Sequence, residues 1–437
     1  MIPRLPAHFA AFQFAESLYR RVNPIAWIAC LILLGMVMRI PRFQVDFERP
    51  AGFAETVLVS ESLAFRGEFA NPYGKAPTGP TAHLSPGFPF VRAALITVLG
   101  KPLTGSRGQQ ILAGLALVVQ LSLLPVVSSL LGFGPIPGLI AFLFGVLPIN
   151  AYSSWEASYA GLLAVVSSLL WLLAIRKPSP LLGAAAGSAF GCLLNFSSVA
   201  LFPTLLLAAL YFVRTRSWWM PATIILWLLP WTVRNAVAFG ELIVFRSNLG
   251  LELQVSNNDC ASYAIRGNLA SGCFKTFHPS RNVVEASRMA AIGEIAYYRM
   301  KQDQAIAWIS THPGRFLELT RQRLVAFWFP HERSNPLDEL LHGRSIERSV
   351  IYLCTILTLP GLLLAARRTR FGIVLWSWLL LFPPIYYVVQ YEDRYRAPIH
   401  WVSFLLAGLC LHSAASRILY GMKIVRSAQP HPAKSTG

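Results

Sequence analysis

Five ionisable side chains crowd the stretch after the first long apolar run: Arg39, Arg42, Asp46, Glu48 and Arg49. A carboxylate in such a setting is suited to act as general base toward an acceptor hydroxyl. A neighbouring arginine, lysine or histidine is suited to hold an anionic leaving group such as a lipid phosphate. The same residues also read as a solvated rim of local ion pairs, the simpler reading for any one of them. Next, a short helical run from Ala54 to Phe65 carries Glu55 and Glu61. A turn-rich tract follows, with Asn71-Pro72, Gly74, Thr78-Gly79-Pro80-Thr81, His83 and Pro86, which predicts a rigid, irregular loop. Four arginines, Arg234, Arg246, Arg394 and Arg396, stand at the edges of later apolar runs. Each either meets lipid headgroups or grips a phosphate in bidentate fashion. Glu156, at the end of another run, either joins a site or caps the next helix.

The elements that must position these groups are membrane helices. Of the 437 residues, 54% are hydrophobic and 13% charged, against roughly 25% charged in soluble domains. The net charge of +18 comes from short basic clusters between apolar runs, with no Lys/Arg-rich domain, so no nucleic-acid partner is expected. Spanning takes roughly 17–25 mostly apolar residues. Ten runs qualify as soft-edged spans: Pro24–Met38, Gln109–Leu131, Pro135–Ala151, Tyr159–Ile175, Leu181–Leu194, Val199–Val213, Trp218–Val233, Val350–Ala366, Ile373–Gln390 and Ile399–Ala415. The first reads as an uncleaved anchor, because no cleavage pattern follows it. The tail from Ser427 to Gly437 has a disordered composition.

An eleventh run, Phe88–Gly100, carries Arg92 near its centre. Counting it as a span would export every later basic cluster, against the positive-inside rule. It is therefore expected to lie in or on the outer interface. The resulting layout is a cytoplasmic segment 1–23, a first span 24–38 and an outer loop 39–107. Six spans follow over 108–234, then an outer segment 235–348, three spans over 349–416 and a basic cytoplasmic tail 417–437. Cys260 and Cys273 fall together in the second outer segment, where a disulfide is the natural expectation. A metal site is less expected there, since no CxxC pair accompanies them and His278 is the nearest histidine. The stretch Arg281–Gln304 reads as one amphipathic helix with Met289, Ile292, Ile295 and Ala296 on its packed stripe.

The order of these features resembles the GT-C glycosyltransferases. The resemblance rests on an N-terminal span, an exported acidic loop with a short helix, and the run PTGPTAHLSPGFP. It continues through Pro230-Trp231-Thr232-Val233-Arg234-Asn235, Phe245-Arg246-Ser247-Asn248-Leu249-Gly250-Leu251-Glu252-Leu253, His312-Pro313, and Arg394-Tyr395-Arg396-Ala397-Pro398. The nearest group is the family 39-like one, with the Rgt-type sugar transferases and the aminoarabinose and protein mannosyltransferases. The resemblance implies an all-α polytopic bundle of about ten transmembrane helices, with interfacial helices in the first outer loop. It also implies transfer of a sugar, with inversion, from a polyprenyl-phosphate carrier to a lipid, glycan or protein acceptor. The active site would face the periplasm of a bacterial inner membrane, with both termini cytoplasmic.

Carried onto this chain, the resemblance makes Asp46 and Glu55 the candidate catalytic carboxylates, with Glu48 third. His83, Arg234, Arg246, Arg394 and Arg396 become candidates for the carrier phosphate. The Asp-Glu pair common in the family and the Lys-Pro-Pro of the aminoarabinose branch are both absent. No cofactor is expected beyond the lipid-linked donor, and no metal-ligand cluster stands out, although a divalent metal is compatible with the scattered carboxylates. Two other classes compete. A lipid-linked-glycan flippase or transporter calls for charges buried within spans, whereas here Gln120 and Asn195 are the main polar intruders. A non-catalytic membrane scaffold calls for an outer loop that tolerates substitution.

Overall fold

The computed structural model describes residues 23–43, 55–100, 106–146, 156–331, 337 and 346–427. Asp46 and Glu48 lie outside the described residues. Among the described residues all regular structure is helical, and β pairing is confined to two isolated bridges, Ala70 with Pro80 and Ala264 with Tyr391.

The chain is an all-α polytopic membrane protein, and each of the ten apolar runs carries helix. Among the described residues six helical stretches are long and apolar enough to cross a bilayer: Gln109–Leu130, Ala157–Arg176, Ser198–Thr215, Trp219–Phe239, Ile346–Arg368 and Asp393–Ile418. Shorter apolar helices occupy Pro24–Arg39, Ile136–Val146, Pro180–Phe196 and Ile373–Val388. The last of these breaks after Leu381 and resumes at Ile385; Pro383 and Pro384 lack the N–H groups that would continue it.

Packing within the bundle follows from side-chain size. The helix Pro180–Phe196 starts on a Ser179 cap whose side chain accepts from the Leu182 amide. Its face of Gly183, Gly187 and Gly191 lies on Trp219–Phe239, and a Cβ on Gly187 would meet the Met220 backbone. Small residues at a spacing of four let two helix backbones approach closely in lipid, where dispersion drives association. The opposite side of Trp219–Phe239 shows Ile225, Leu226, Leu229, Val233 and Val237 to the surroundings, as a lipid-facing wall does. Inside the bundle, Trp171, Trp378, Trp401 and Phe142 are buried in one continuous apolar core, and the Trp378 indole donates to Ser168 Oγ at 2.9 Å.

The run at Phe88–Gly100 forms a helix of 13 residues, Gly87–Leu99, packed against Glu55–Arg66. At 1.5 Å per residue it reaches about 20 Å, short of the ~30 Å hydrocarbon core. Arg92 is buried and bonds Gln109.

Between Phe239 and Ile346 the chain forms a helical layer: Leu249–Ser256, Ile265–Ala270, Cys273–Phe277, Val283–Ile292, Glu294–Thr311 and Pro313–Trp328. One expectation is corrected here. The stretch Arg281–Gln304 is two helices, because Gly293 takes φ +85° between them, a left-handed angle that favours glycine. The break resets the helical phase. Met289 is buried as expected, but Ile292 and Ala296 are exposed, and Glu294, Tyr297, Tyr298, Lys301 and Ala305 face inward instead.

Tyr73, from the loop before the Gly87–Leu99 helix, is embedded in this layer with Leu251, Val255, Phe274, Met289, Tyr297 and Tyr298. Val59, Phe69 and Ala82 form a second joint with Trp231. The two polar segments, distant in sequence, thus share cores with each other and with the bundle. Cys260 and Cys273 are joined in a disulfide, with their Cα atoms 5.7 Å apart.

Candidate active site

A cavity of about 430 Å³ opens where the helical layer meets the bundle. Its lining joins polar groups, Glu55, His83, Arg246, Asn248, Glu252, His278, Gln390 and Arg394, to apolar side chains of the bundle helices, Phe196, Val199, Leu201, Phe202, Leu381, Phe382 and Ile385. Glu156 joins the wall beside Ala157 and Ala160.

Each polar group is held by bonds that reach across the chain. Glu55 opens the helix Glu55–Arg66, where the helix N-terminus favours a negative charge. Arg246 is set from three sides. The Trp231 indole donates to the Phe245 carbonyl at 2.7 Å, the Ser247 amide to the Ala82 carbonyl at 2.9 Å, and Arg246 Nε to the His83 carbonyl at 3.0 Å. That leaves both terminal amino groups of the guanidinium without a protein partner among the described residues. Arg394 Nε pairs with Glu392 at 2.7 Å. Its segment is tied to the helical layer, where the Gln390 amide donates to Ser256 Oγ at 2.7 Å and the Tyr391 amide to the Tyr263 carbonyl at 2.7 Å. Glu252 accepts from Asn248 Nδ2 at 3.2 Å.

Below this floor sits Glu294, buried at the first turn of its helix. It accepts from Thr81 Oγ1 at 2.5 Å, the Ala82 amide at 2.7 Å and Ser247 Oγ at 2.6 Å. One carboxylate therefore fastens the loop before His83 and the strap carrying Arg246 to the same point.

Electrostatics separates the carboxylates. Burial raises the Glu55 carboxyl above the usual range; its own backbone amide opposes the rise, Glu252 adds to it, and Arg394 and Arg281 oppose it. Burial also raises Glu252, against Arg246, Arg394 and hydrogen bonds from Gln390 and Asn248. Glu55 thus has no side-chain hydrogen-bond donor of its own among the described residues, while Glu252 is tied to several. A carboxylate kept basic and unpaired is equipped to take a proton.

The structure brings Glu55, His83, Arg246 and Arg394 to one cavity, and it places two other expected residues elsewhere. Arg234 donates to the Thr81 and Phe69 carbonyls, each at 2.7 Å, and lies among the rings of Phe69, Trp231 and Phe239. Arg396 donates to the Trp328 carbonyl at 2.7 Å, Thr355 Oγ1 at 2.8 Å and Ser403 Oγ at 3.0 Å, with its guanidinium 4.7 Å from the Trp328 ring centre. Neither lines the cavity; carbonyl oxygens, hydroxyls and aromatic faces serve as their partners there. Sequence reasoning missed Glu252, Asn248, Gln390 and Glu294 as site-forming groups. Glu252 and Asn248 lie inside the Phe245–Leu253 stretch already singled out, so that stretch carried a usable signal.

Similarity to known proteins is visible at the level of the backbone. No protein-family model and no curated protein sequence matches the chain. Structures of the oligosaccharyltransferase from the archaeon Archaeoglobus fulgidus do match. With the enzyme termed AglB, in complex with an inhibitory peptide and a dolichol-phosphate, the TM-score is 0.55 at 12% identity over 95% of this chain. With the form tethered to an acceptor peptide containing the NVT sequon, it is 0.57 at 12% identity over 96%. With the apo form it is 0.54 at 13% identity over 96%. The chain shares the backbone fold of these oligosaccharyltransferase structures. It spans about half the length of the oligosaccharyltransferase chains it matches, covering 53%, 53% and 54% of them.

Proposed function

We propose that the chain is a membrane glycosyltransferase that takes a sugar from a polyprenyl-phosphate carrier and passes it to a hydroxyl acceptor. The observation that carries this reading is the cavity itself, whose lining combines two arginines and two carboxylates, Glu55 and Glu252, with apolar side chains of the bundle helices. Such a lining suits an amphipathic ligand whose phosphate and sugar meet the polar groups and whose isoprenoid tail meets the bundle side chains. A dolichol-phosphate accompanies the related fold in one of the archaeal structures, which supports a lipid phosphate as the donor group.

In the reaction, Glu55 takes the proton from the acceptor hydroxyl as that oxygen attacks the anomeric carbon. The bond from that carbon to the phosphate oxygen breaks, and the electron pair leaves with the phosphate. Attack opposite the leaving group inverts the anomeric centre. Arg246 and Arg394 hold the phosphate as its charge grows, the point at which preorganised donors contribute most. Glu252, bonded by Asn248, adds a negative charge felt by both arginines. Asp46 and Glu48 remain candidates to join Glu55. The distribution of the basic clusters supports cytoplasmic termini and a cavity on the periplasmic side of a bacterial inner membrane.

The test is transfer itself. Membranes containing the chain, given labelled polyprenyl-phosphate sugars and envelope lipids, glycans or proteins as acceptors, are expected to move label into one acceptor class. No transfer from any carrier-linked sugar, with the chain inserted normally, would remove the assignment.

A further inference from the structure

Two histidines, His83 and His278, line the cavity, and each has its Nδ1 turned to the protein. His278 Nδ1 lies 3.2 Å from the Ser280 backbone amide and 2.7 Å from Ser280 Oγ. A backbone amide can only donate, so this Nδ1 is bare and the ring proton sits on Nε2.

His83 reaches the same state by a proton count. Its Nδ1 lies 2.8 Å from Tyr298 Oη and 3.1 Å from Tyr73 Oη, and the two hydroxyls are 3.0 Å apart. Both tyrosines are buried, and neither hydroxyl has another partner among the described residues. With Nδ1 bare, Tyr298 donates to it and Tyr73 donates to Tyr298, so every O–H is used. With Nδ1 protonated, the triangle holds three protons and one buried hydroxyl finds no acceptor, which is unfavourable. The proton therefore sits on Nε2 here too.

The two ring centres are 6.5 Å apart, with planes at 79°. Among the described residues neither Nε2 has a protein partner. Burial, then Arg246 and His278, keeps His83 neutral; burial, then Arg281 and Lys301, lowers His278 to about 3. We propose that His83 Nε2–H and His278 Nε2–H form a paired donor site for the phosphate oxygens of the carrier lipid, beside Arg246. The pair rests on the glycosyl-transfer reading above and deepens it. Neutral imidazoles add direction without adding charge, so they hold the phosphate without pairing off the nearby carboxylates. Tyr73, Tyr298 and Ser280 act as positioning residues that fix the tautomers.

The experiment is equilibrium binding of sugar-free polyprenyl monophosphate to the full chain in lipid nanodiscs. His83→Leu and His278→Leu are each expected to weaken binding about tenfold, and the double variant about a hundredfold. His83→Gln and His278→Gln keep a donor near the Nε2 position and are expected to stay within a few-fold of wild type. Tyr73→Phe/Tyr298→Phe keeps His83 in place but frees its tautomer, and is expected to weaken binding several-fold. Wild-type chain that does not bind the probe would overturn the glycosyl-transfer reading. Wild-type chain that binds, with the double leucine or double phenylalanine variant binding equally well, would overturn the histidine pair alone.

Discussion

Glu55→Gln is expected to lower kcat by about 10²- to 10⁴-fold, the usual contribution of a positioned general base, while membrane insertion stays normal. The amide has nearly the same shape as the carboxyl and cannot take a proton. The pH profile gives a sharper reading than the rate alone. Burial raises the Glu55 carboxyl, so the ionised, active form is reached only above the raised pKa, and the acidic limb of kcat lies higher than for an ordinary glutamate. Glu252 contributes to that rise. In Glu252→Gln its charge is gone, the ionised form of Glu55 is favoured, and the limb is expected to move to lower pH. A Glu55→Gln variant that keeps the wild-type rate and the same acidic limb would assign the base to another carboxylate, with Asp46 and Glu48 next in order.

Glu294→Ala is expected to be the most destabilising single change near the site, at about 3 kcal/mol, measured as the unfolding midpoint in detergent. Truncation leaves the Thr81 hydroxyl, the Ala82 amide and the Ser247 hydroxyl without their shared acceptor inside the protein. A buried donor left unpaired costs about 1–3 kcal/mol, and three at one acceptor add less than their sum. The sign of the pH dependence is set by burial, which raises the Glu294 carboxyl despite its three donors and Arg234. A group raised on folding favours the folded state below its unfolded pKa, and that share is lost as pH rises through the folded pKa. Glu294→Ala is therefore expected to flatten the stability profile across that window as well as lower it. Wild-type stability in this variant would mean that the loop before His83 is held by its other contacts, Tyr73 among them.

How far the sequence foretold these arrangements depended on the length scale of each signal. The bundle was legible because a lipid-facing helix must be apolar over its whole length, and that pattern is local. The short helix at Glu55 was legible from its position between a span and a turn-rich tract. The Cys260–Cys273 disulfide was legible because both cysteines fall in one polar segment between apolar runs. Arg234 and Arg396 looked like anion ligands because they sit against the charge trend of the spans. Their actual partners, the carbonyls of Phe69, Thr81 and Trp328, come from distant parts of the chain and carry no side-chain signature. Glu294's role and the tyrosine partners of His83 were out of reach for the same reason. Thr81 and Glu294 are 213 positions apart, and His83 and Tyr298 are 215. Gly293 was the one local clue missed, since a glycine that interrupts an amphipathic run shifts the phase of every residue after it.

The account stands on where the carrier lipid lies. Photo-crosslinking with a polyprenyl phosphate that bears a photoreactive group near the first isoprene unit, read out by mass spectrometry, tests this most directly. Label is expected on peptides containing Phe202, Leu381, Phe382 or Ile385, and excess polyprenyl phosphate is expected to compete it away. Competed label confined to the outer face of Trp219–Phe239, around Ile225, Leu229 and Val237, would put the lipid outside the cavity and contradict the account.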